Sequence, residues 1–319
     1  MKVLVIRFSS IGDIVLTSPV IRCLKKQIPG CEIHFLTKKS FLPVTEHNPY
    51  ISSIHLIENK VGECIEGLKK EKFDLVIDLH HNLRSAQVKR ALKVKSSSFN
   101  KLNIEKWLLV NLRVNKLPGM HIVDRYFETV KELGFTNDHL GLDYFISEKE
   151  KVDVQRMFGV AAGEYHCLVA GGSYFTKQIP LNKLQEICTL SDKKIIVLGG
   201  KEDAPIGIRL EREFPGKVFN ACGKISINQS ASVIQQGDKV ITSDTGLMHI
   251  ASAYKKDVFS LWGNTIPEFG MSPYLPGEKS KILEVKDLSC RPCSKLGYKK
   301  CPKGHFKCMN EIKVQEIFT

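Results

Sequence analysis

The sequence has no apolar run as long as a membrane-spanning helix requires. Its first apolar run, residues 3–6, follows Met1 and Lys2 and is shorter than the hydrophobic region of a signal peptide. No later run approaches the ~18 apolar residues of a membrane span. We therefore expect a cytoplasmic protein rather than a secreted or integral membrane protein.

Two glycine-based nucleotide-binding fingerprints are also missing. The sequence contains no Walker A motif, and no G-x-G-x-x-G follows a predicted strand. Such motifs bring the backbone close to phosphate groups in P-loop ATPases and in dinucleotide-binding enzymes. Their absence weakens both interpretations without excluding either.

Acidic residues are scarce relative to basic ones. The 319 residues include 47 Lys and Arg against 34 Asp and Glu, which gives a formal charge of +13. An excess of positive charge favours anionic partners. Nucleic acid, an anionic membrane surface and a phosphorylated small molecule all fit this charge.

Short apolar segments alternate with amphipathic segments along the whole chain. Residues 2–7, 32–37 and 73–78 predict buried strands in the first half, and the alternation restarts after a charged stretch at residues 147–164. This pattern is typical of parallel sheets covered by helices on both faces. We predict two Rossmann-like α/β domains, residues 1–158 and 159–319, facing each other across a cleft.

Polar residues follow the first predicted strand. Ser10, Gly12 and Asp13 lie just after it, before a helix that Pro19 requires either to start at Ser18 or to kink. The carboxyl end of a strand in an open α/β sheet is the usual ligand crevice. Asp13 is therefore a candidate proton acceptor, although an Asp near a helix start is often only a cap.

A second polar cluster follows the strand at residues 73–78. It comprises Asp78, His80, His81, Asn82 and Arg84. Arg125, on a helix predicted from residue 121, is placed to reach the same crevice. We interpret this cluster as a second ligand site.

The stretch at residues 239–254 is the main organising motif of the second half. Asp244 is predicted to cap a helix after a buried strand, which leaves Thr245 and Gly246 where unpaired N–H groups attract phosphate. Leu247 and its helical neighbours form a core face, whereas His249 lies on the face of Thr245. The alternative is a capped helix with a merely structural histidine.

Two further loops follow strands of the second half. Residues 171–177 begin Gly171-Gly172-Ser173 and end at Lys177, and residues 199–203 include Glu202. Glycine permits close backbone approach, and lysine offers a point charge to phosphate. Both loops are candidate donor-binding segments.

Residues 84–116 are the most basic part of the chain. They contain nine basic residues and one acid, Glu105, together with the apolar residues 107–110. This composition suits contact with an anionic amphiphile or an acidic membrane surface. A solvated helical face is the alternative.

Ten cysteines in an intracellular chain are more often free thiols or metal ligands than disulfides. Four of them, Cys290, Cys293, Cys301 and Cys308, fall within nineteen residues. C-x2-C is a good zinc half-site, but the C-x6-C spacing of the second half is irregular. The cluster therefore predicts either a structural zinc or packed thiols.

Three motifs together resemble glycosyltransferase family 9, which includes the ADP-heptose:lipopolysaccharide heptosyltransferases. They are the segments at residues 7–13, 74–85 and 243–249, and the Cys-Arg-Pro-Cys ending is also carried by many members. Many members have Gln-Gly where this chain has His80-His81. The resemblance implies a GT-B fold, with the acceptor bound mainly by the amino-terminal domain and the nucleotide-sugar by the carboxy-terminal one.

The resemblance also implies roles for individual residues. Asp13 matches the family's general base and Lys177 a diphosphate-binding lysine, and the reaction is expected to invert the anomeric centre without a catalytic metal or other cofactor. The implied donor contacts are Gly12, Gly172, Ser173, Glu202, Asp244, Thr245, Gly246 and His249. The implied acceptor contacts are Ser10, Asp78, His81, Arg84 and Arg125.

We therefore expect a cytoplasmic glycosyltransferase, peripheral at the inner membrane, that takes an ADP-heptose-like donor and an anionic glycolipid acceptor of lipopolysaccharide-core type. One alternative is a zinc-stabilised nucleic-acid-binding protein, which the charge and the cysteines suggest. Another is a different Rossmann-type nucleotide-sugar enzyme, against which the missing glycine fingerprint argues.

Overall fold

The computed structural model describes all residues, 1–319, and they form two compact units. Unit 1 comprises residues 1–102 and 120–145, and unit 2 comprises residues 103–119 and 146–319. This division differs from a single boundary after residue 158, since the chain passes from one unit to the other three times. Composition alone does not reveal that residues 103–119 fold with the second half.

Unit 1 contains a five-stranded sheet in which every pairing is parallel. Its strands are β1 (Lys2–Ile6), β2 (Glu32–Lys38), β3 (Ser53–Ile57), β4 (Leu75–Asp78) and β5 (Lys95–Ser98), in the order β3-β2-β1-β4-β5. Val5 of the central strand lies between Phe35 of β2 and Ile77 of β4. The apolar strands form the core, whereas the polar strand β5 lies at the edge.

The helices of unit 1 cover this sheet, with helix numbers running along the whole chain. They are α1 (Ile11–Val15), α2 (Ser18–Gln27), α3 (Gly62–Lys70), α4 (Leu83–Leu92) and α6 (Ile122–Val130). Helix α2 begins at Ser18, as Pro19 allows, because proline is tolerated in the first turn. Residues Lys39–Val44 form a 3-10 helix that contains Pro43.

Unit 2 contains a six-stranded parallel sheet. Its strands are β6 (Tyr165–Val169), β7 (Lys194–Leu198), β8 (Val218–Asn220), β9 (Lys239–Ser243), β10 (Asp257–Trp262) and β11 (Lys281–Glu284). Their order is β11-β10-β9-β6-β7-β8, the doubly wound arrangement of a Rossmann fold. Strands β6 to β8 are added outward on one side of the sheet and strands β9 to β11 outward on the other, so the strand order reverses between β6 and β9.

The helices of unit 2 pack around its sheet. They are α5 (Asn103–Leu112), α7 (Val154–Phe158), α8 (Leu181–Leu190), α9 (Ala204–Glu213), α10 (Ile227–Gln236), α11 (Gly246–Ala253) and α12 (Lys307–Asn310). Helix α5 is attached through a small apolar cluster of Leu109, Ile266 and Phe269. None of the helices is long and apolar enough to cross a bilayer.

Candidate active site

In unit 1, the strand order reverses between β1 and β4, which are neighbours in the sheet. The loop after β1 carries Arg7 to Asp13, and the loop after β4 carries Asp78 to Asn82. Ligands of open α/β sheets bind at the carboxyl ends of strands at such a reversal. The fold therefore brings both predicted amino-terminal motifs to one edge.

Asp13 is held by groups of its own loop. One carboxylate oxygen, Oδ1, lies 2.5 Å from Nη2 of Arg7. The other, Oδ2, accepts hydrogen bonds from the Ser10 hydroxyl at 2.8 Å and the Ser10 backbone N–H at 3.2 Å. Asp13 thus caps the start of α1 and forms an ion pair at once, while 21% of its side chain stays exposed. The cap and a catalytic role are compatible.

These contacts set the protonation state of Asp13. Burial raises its pKa, but the Arg7 guanidinium and the Ser10 hydrogen bonds outweigh burial, so the pKa lies below its usual value. The side chain is therefore a carboxylate at neutral pH. It is ready to accept a proton but is a weak base in the resting site.

Arg7 is a buried residue that fixes this geometry. Its guanidinium donates to the carbonyl oxygens of Ser9 and Leu79 and, at 3.0 Å, to the hydroxyl of Tyr126. All three nitrogens of the planar group thereby have partners within unit 1. The arginine holds the loops after β1 and β4 together behind Asp13.

The loop after β4 is organised by Asp78, whose side chain is fully buried. Its Oδ1 accepts the backbone N–H groups of His80 and His81, at 3.1 and 2.6 Å, and its Oδ2 lies 3.0 Å from Nζ of Lys89. Asp78 therefore positions the loop. The buried side chain of Asp78 would therefore affect an acceptor only indirectly, through the residues that it orients, and its predicted acceptor contact stays a prediction.

His81 has a backbone φ of 49°, in the left-handed region where glycine is favoured. Glycine, which the resemblance implies at this position in many family members, would adopt this conformation without strain. The side chain of His81 turns to the Phe99 carbonyl, to which Nδ1 donates at 2.7 Å. Its acceptor contact stays a prediction.

His80 belongs to the polar cluster predicted from the sequence, which gave it no individual role. Its ring packs edge-on against Phe8 at 5.1 Å, and burial together with nearby Arg7 lowers its pKa to about 4. The buried Nδ1 atom has no hydrogen-bond partner within the protein. A neutral imidazole beside the Arg7–Asp13 pair is thus available to a substrate hydroxyl. Only its strand-end position signalled it in the sequence.

The remaining predicted residues of unit 1 occupy different environments. Ser10 and Arg84 are exposed, Gly12 is buried within α1, and Arg125 is buried in α6. Burial lowers the pKa of Arg125. Gly12, assigned to the donor, lies in unit 1 beside Asp13; its donor contact stays a prediction.

Unit 2 has an equivalent site at the reversal between β6 and β9. Lys177, at the end of the 3-10 turn Phe175–Lys177 after β6, places Nζ 2.5 Å from Oδ2 of Asp244, which follows β9. The same oxygen accepts the Thr265 hydroxyl at 3.2 Å. Two residues predicted separately as donor contacts thus form one ion pair.

One local prediction in this site was wrong. The cap of α11 is Thr245, whose hydroxyl accepts the Met248 N–H at 3.4 Å, rather than Asp244. The Asp244 carboxylate forms an ion pair with Lys177 instead, and the Thr245 hydroxyl caps the helix. The helix start remains at Gly246, where its first N–H groups lie beside the ion pair.

His249 is 2% exposed, because α11 is buried on nearly every face. The predicted polar face of this helix is therefore inside the protein. The donor contact of His249 stays a prediction.

The two glycine loops of unit 2 meet at Asp203. A Cβ atom at Gly171 would lie 2.3 Å from Oδ2 of Asp203, and one at Gly199 would lie 2.8 Å from it. Gly200 N–H donates to the same oxygen at 2.8 Å. These glycines thus make room for a buried carboxylate, whose pKa burial raises. Ser173 and Glu202 are exposed at the loops, and the Gln178 amide donates to the Gly172 carbonyl at 2.9 Å.

The carboxy-terminal cysteines are joined to the Asp244 site by Arg291. This residue donates to the carbonyls of Gly263 and Thr265, at 2.6 and 2.9 Å, and pairs with Glu284 at 2.6 Å. Thr265 in turn holds Asp244. The segment that begins at Cys290 is therefore connected to the Asp244 site by one chain of hydrogen bonds.

All ten cysteines are free. Burial raises the pKa of Cys293 and, to about 12, that of Cys308, and the neighbouring thiols of the cluster add to both shifts. Cys290 Sγ lies 3.9 Å from Nε2 of His305. These sulfurs have suitable chemistry for zinc, which would hold them as thiolates. The structural zinc stays a prediction.

Another group of metal-ligand type lies in the sheet of unit 1. His34 Nδ1 is 2.8 Å from His55 Nε2 and 4.0 Å from Oε2 of Glu71. Lys2 Nζ is 3.0 Å from the same carboxylate oxygen. Because the lysine already neutralises Glu71, a histidine pair and an ion pair account for this group.

Two doubly wound units, each with charged residues at its own sheet reversal, define the GT-B class of sugar-transferring enzymes. The profile of glycosyltransferase family 9 (heptosyltransferase) matches residues 61–302, and the chain belongs to that family. It is therefore a glycosyltransferase, as the sequence motifs indicated. Family membership gives no support to the nucleic-acid-binding alternative.

Three comparisons illustrate the likeness. The chain is 27% identical to lipooligosaccharide heptosyltransferase 2 of Campylobacter jejuni, over 99% of this chain and 96% of the relative. The family 9 glycosyl transferase of Veillonella parvula superposes with a TM-score of 0.75 at 20% identity, covering 90% of this chain and 86% of that one. The ADP-heptose lps heptosyltransferase II of E. coli gives a TM-score of 0.72 at 19% identity, covering 99% and 100%.

Proposed function

We propose that this enzyme transfers heptose from ADP-heptose to a lipopolysaccharide-core acceptor, with inversion and without a catalytic metal. The names of its relatives support the donor and the acceptor class. The observation that carries the chemistry is the Arg7–Asp13 pair: an ionised, partly exposed carboxylate at a strand end, fixed by a buried arginine.

The reaction is a single displacement. The acceptor hydroxyl oxygen attacks the anomeric carbon while the bond from that carbon to the donor phosphate oxygen breaks. Asp13 takes the hydroxyl proton, and the diphosphate leaves with the bonding electrons. Attack opposite to the leaving group inverts the anomeric centre.

The lowered pKa of Asp13 fits a proton transfer that occurs late. An alcohol becomes a strong acid only as its oxygen bonds to carbon, so a weak carboxylate base suffices in the transition state. Arg7 keeps Asp13 ionised and aimed, which lowers the entropic cost of reaching the reactive geometry.

The Lys177–Asp244 pair supports the proposed handling of the leaving group. A lysine ammonium has three N–H donors, so Lys177 can keep its bond to Asp244 and donate the others to phosphate oxygens. The first N–H groups of α11 add further donors. Charge on the departing diphosphate is then stabilised by fixed dipoles and one cation.

Acceptor recognition is proposed for unit 1. Ser10, His81 and Arg84 are at or near the surface, and Arg125 adds positive charge. An anionic core acceptor suits this arginine-containing edge, because guanidinium groups bind phosphate and carboxylate in a bidentate manner. His80 offers a neutral imidazole to a sugar hydroxyl.

Two measurements test the proposed function. A thermal-shift series with ADP-heptose, UDP-sugars and GDP-sugars should raise the melting temperature most with ADP-heptose, since only a ligand of the folded form stabilises it. Product analysis with a core acceptor should then show one new heptose of inverted configuration in the presence of EDTA. A stronger response to another nucleotide-sugar, or retention of configuration, would contradict the proposal.

A further inference from the structure

Helix α5 places an apolar stripe in solvent. Ile104, Trp107 and Leu112 are 73%, 55% and 57% exposed and recur at i, i+3 and i+8 on one face. Leu109, which points away from Trp107, is buried against Ile266 and Phe269 of unit 2. An amphipathic helix normally buries its apolar side; here both sides are apolar and only one is covered.

The loop that follows Cys293 continues this stripe. Leu296 and Tyr298 are exposed, and Tyr298 and Lys295 line a groove of about 660 Å³ together with Ile104, Trp107 and Val110. We call the stripe, the groove and this loop the α5 surface. It brings together two segments that are almost two hundred residues apart in sequence.

The α5 surface is mounted firmly. Arg113 Nη1 donates to the Pro292 carbonyl at 2.7 Å, and Lys295 Nζ donates to Asn103 at 3.3 Å. Lys106 lies over the ring of Phe269 at 5.7 Å. Both ends of α5 are thereby fixed to unit 2 while its outer face stays bare.

The charge around the α5 surface has one sign. Residues 290–310 contain no acid, and Lys295, Lys299, Lys300 and Lys303 are exposed there. Arg113 and Lys116 follow α5, and Glu105 is the single acid of that segment. Exposed lysines around a Trp and Leu patch are typical of binding to anionic lipid, whereas lysine is depleted in protein interfaces. Two copies of this surface would repel each other.

We propose that the α5 surface docks the enzyme on an anionic lipid bilayer. Trp107, Ile104 and Leu112 enter the interface between headgroups and acyl chains, and the lysines contact lipid phosphates. This deepens the proposed function, on which its biological purpose rests, because a glycolipid acceptor lies in a membrane. The docking itself depends only on the surface.

The surface also adjoins the donor site. The Tyr298 N–H donates to the Thr176 hydroxyl at 2.8 Å, and the Thr176 N–H donates to the Tyr298 carbonyl at 3.2 Å. Thr176 immediately precedes Lys177. Two hydrogen bonds therefore join Tyr298, which belongs to the α5 surface, to the loop that carries the proposed diphosphate-binding lysine.

The two tryptophans of the chain make a direct test available. Trp107 is exposed, whereas Trp262 is 1% exposed in the core of unit 2. Vesicles of phosphatidylcholine mixed with phosphatidylglycerol should shift the emission to shorter wavelengths, and vesicles of phosphatidylcholine alone should do so weakly. Trp107→Phe should remove the shift while co-sedimentation with the vesicles persists.

Co-sedimentation then locates the surface. Lys299→Gln/Lys300→Gln should weaken binding to the anionic vesicles about tenfold or more, as should Ile104→Ser/Leu112→Ser. Matched controls are Lys149→Gln/Lys224→Gln and Ile208→Ser, which alter exposed residues elsewhere on unit 2 and should leave binding unchanged. Circular dichroism of each variant verifies folding.

Three results would overturn the proposal: no vesicle binding, binding that all variants retain, or concentration-dependent self-association abolished by the α5 variants. Binding is measured without donor or acceptor, so its outcome is independent of the proposed reaction. Conversely, the α5 variants should retain turnover on an acceptor stripped of acyl chains. Failure of ADP-heptose transfer with intact vesicle binding would contradict the proposed function alone.

Discussion

The two strand-end sites share an architecture but differ in the cation that accompanies the carboxylate. In unit 1, Asp13 is paired with Arg7, a buried residue whose three guanidinium nitrogens all have partners in the protein. In unit 2, Asp244 is paired with Lys177, a partly exposed residue with donors to spare. Arg7 is therefore fixed by the protein and holds Asp13 in place, whereas Lys177 retains N–H donors that a ligand can use.

The difference follows from the chemistry of the two cations. A guanidinium is planar and can be fixed by several carbonyls at once, so it suits a buried pair. An ammonium is a compact charge on a flexible stem, so it can follow a ligand. The proposed base, Asp13, needs a constant orientation, whereas the diphosphate proposed to leave beside Lys177 needs a charge that can move with it.

The largest expected effect is the loss of the proposed base. Asp13→Asn should lower turnover by about 10³-fold, because an amide cannot accept the proton. Donor affinity, measured by calorimetry with ADP, should change less than about twofold. Asp74→Asn, which alters an exposed acid of the same unit, serves as the control. Nearly normal turnover in the Asp13 variant would remove it from the role of base.

The comparison of cations predicts different consequences for binding. Arg7→Met and Lys177→Met each leave a largely buried carboxylate, Asp13 or Asp244, without its partner, so each should destabilise the fold by about 3 kcal/mol. Only Lys177→Met should also weaken ADP binding, by about 2 kcal/mol. Urea unfolding and calorimetry on both variants check this. Equal effects of the two changes on ADP affinity would abolish the distinction.

A smaller effect concerns pH. The pKa of Asp13 is lowered, so the carboxylate is active above that pKa and loses activity only as the pH falls through it. Ser10→Ala removes a hydrogen bond to the carboxylate and should raise this pKa, so activity should be lost at a higher pH than in the parent. The kcat/KM profile on the acid side measures the change. An acid limb that does not move would show that Ser10 leaves the charge of Asp13 unaffected.

The smallest expected effect on the donor site comes from the cysteine cluster. If zinc is bound, elemental analysis should find about one ion per chain. Cys293→Ser should then lower the zinc content and the melting temperature while changing ADP affinity only slightly. Cys64→Ser, at an unclustered thiol of unit 1, is the control. A metal-free protein of unchanged stability would leave the cluster as packed thiols.

Much of the fold was predictable because apolar strands alternate with amphipathic helices. Strands β1, β2 and β4 were predicted to within two residues of the bounds observed, and α2 begins at Ser18, one of the two alternatives that Pro19 allowed. Strand β5 escaped detection because Lys95–Ser98 contains no strongly apolar residue. Its extended form comes from pairing with β4, which a local pattern cannot show.

The site was predictable in its positions but less so in its contacts. Strand ends identified Asp13, Lys177 and Asp244, yet the cap of α11 was assigned to the wrong residue. A lysine 67 positions away competes for the Asp244 carboxylate. His80 was similarly hidden, because the burial that lowers its pKa depends on Phe8 and Arg7 from another strand end.

The passage of residues 103–119 into unit 2 bears on the engineering of specificity. Chimaeras that exchange halves between family members at a single junction near residue 158 would separate α5 from its contacts with Ile266 and Phe269. A carboxy-terminal half transplanted in this way would arrive with an uncovered apolar patch. A faithful exchange needs three junctions, near residues 102, 119 and 145, so that the inserted helix travels with the sheet on which it rests.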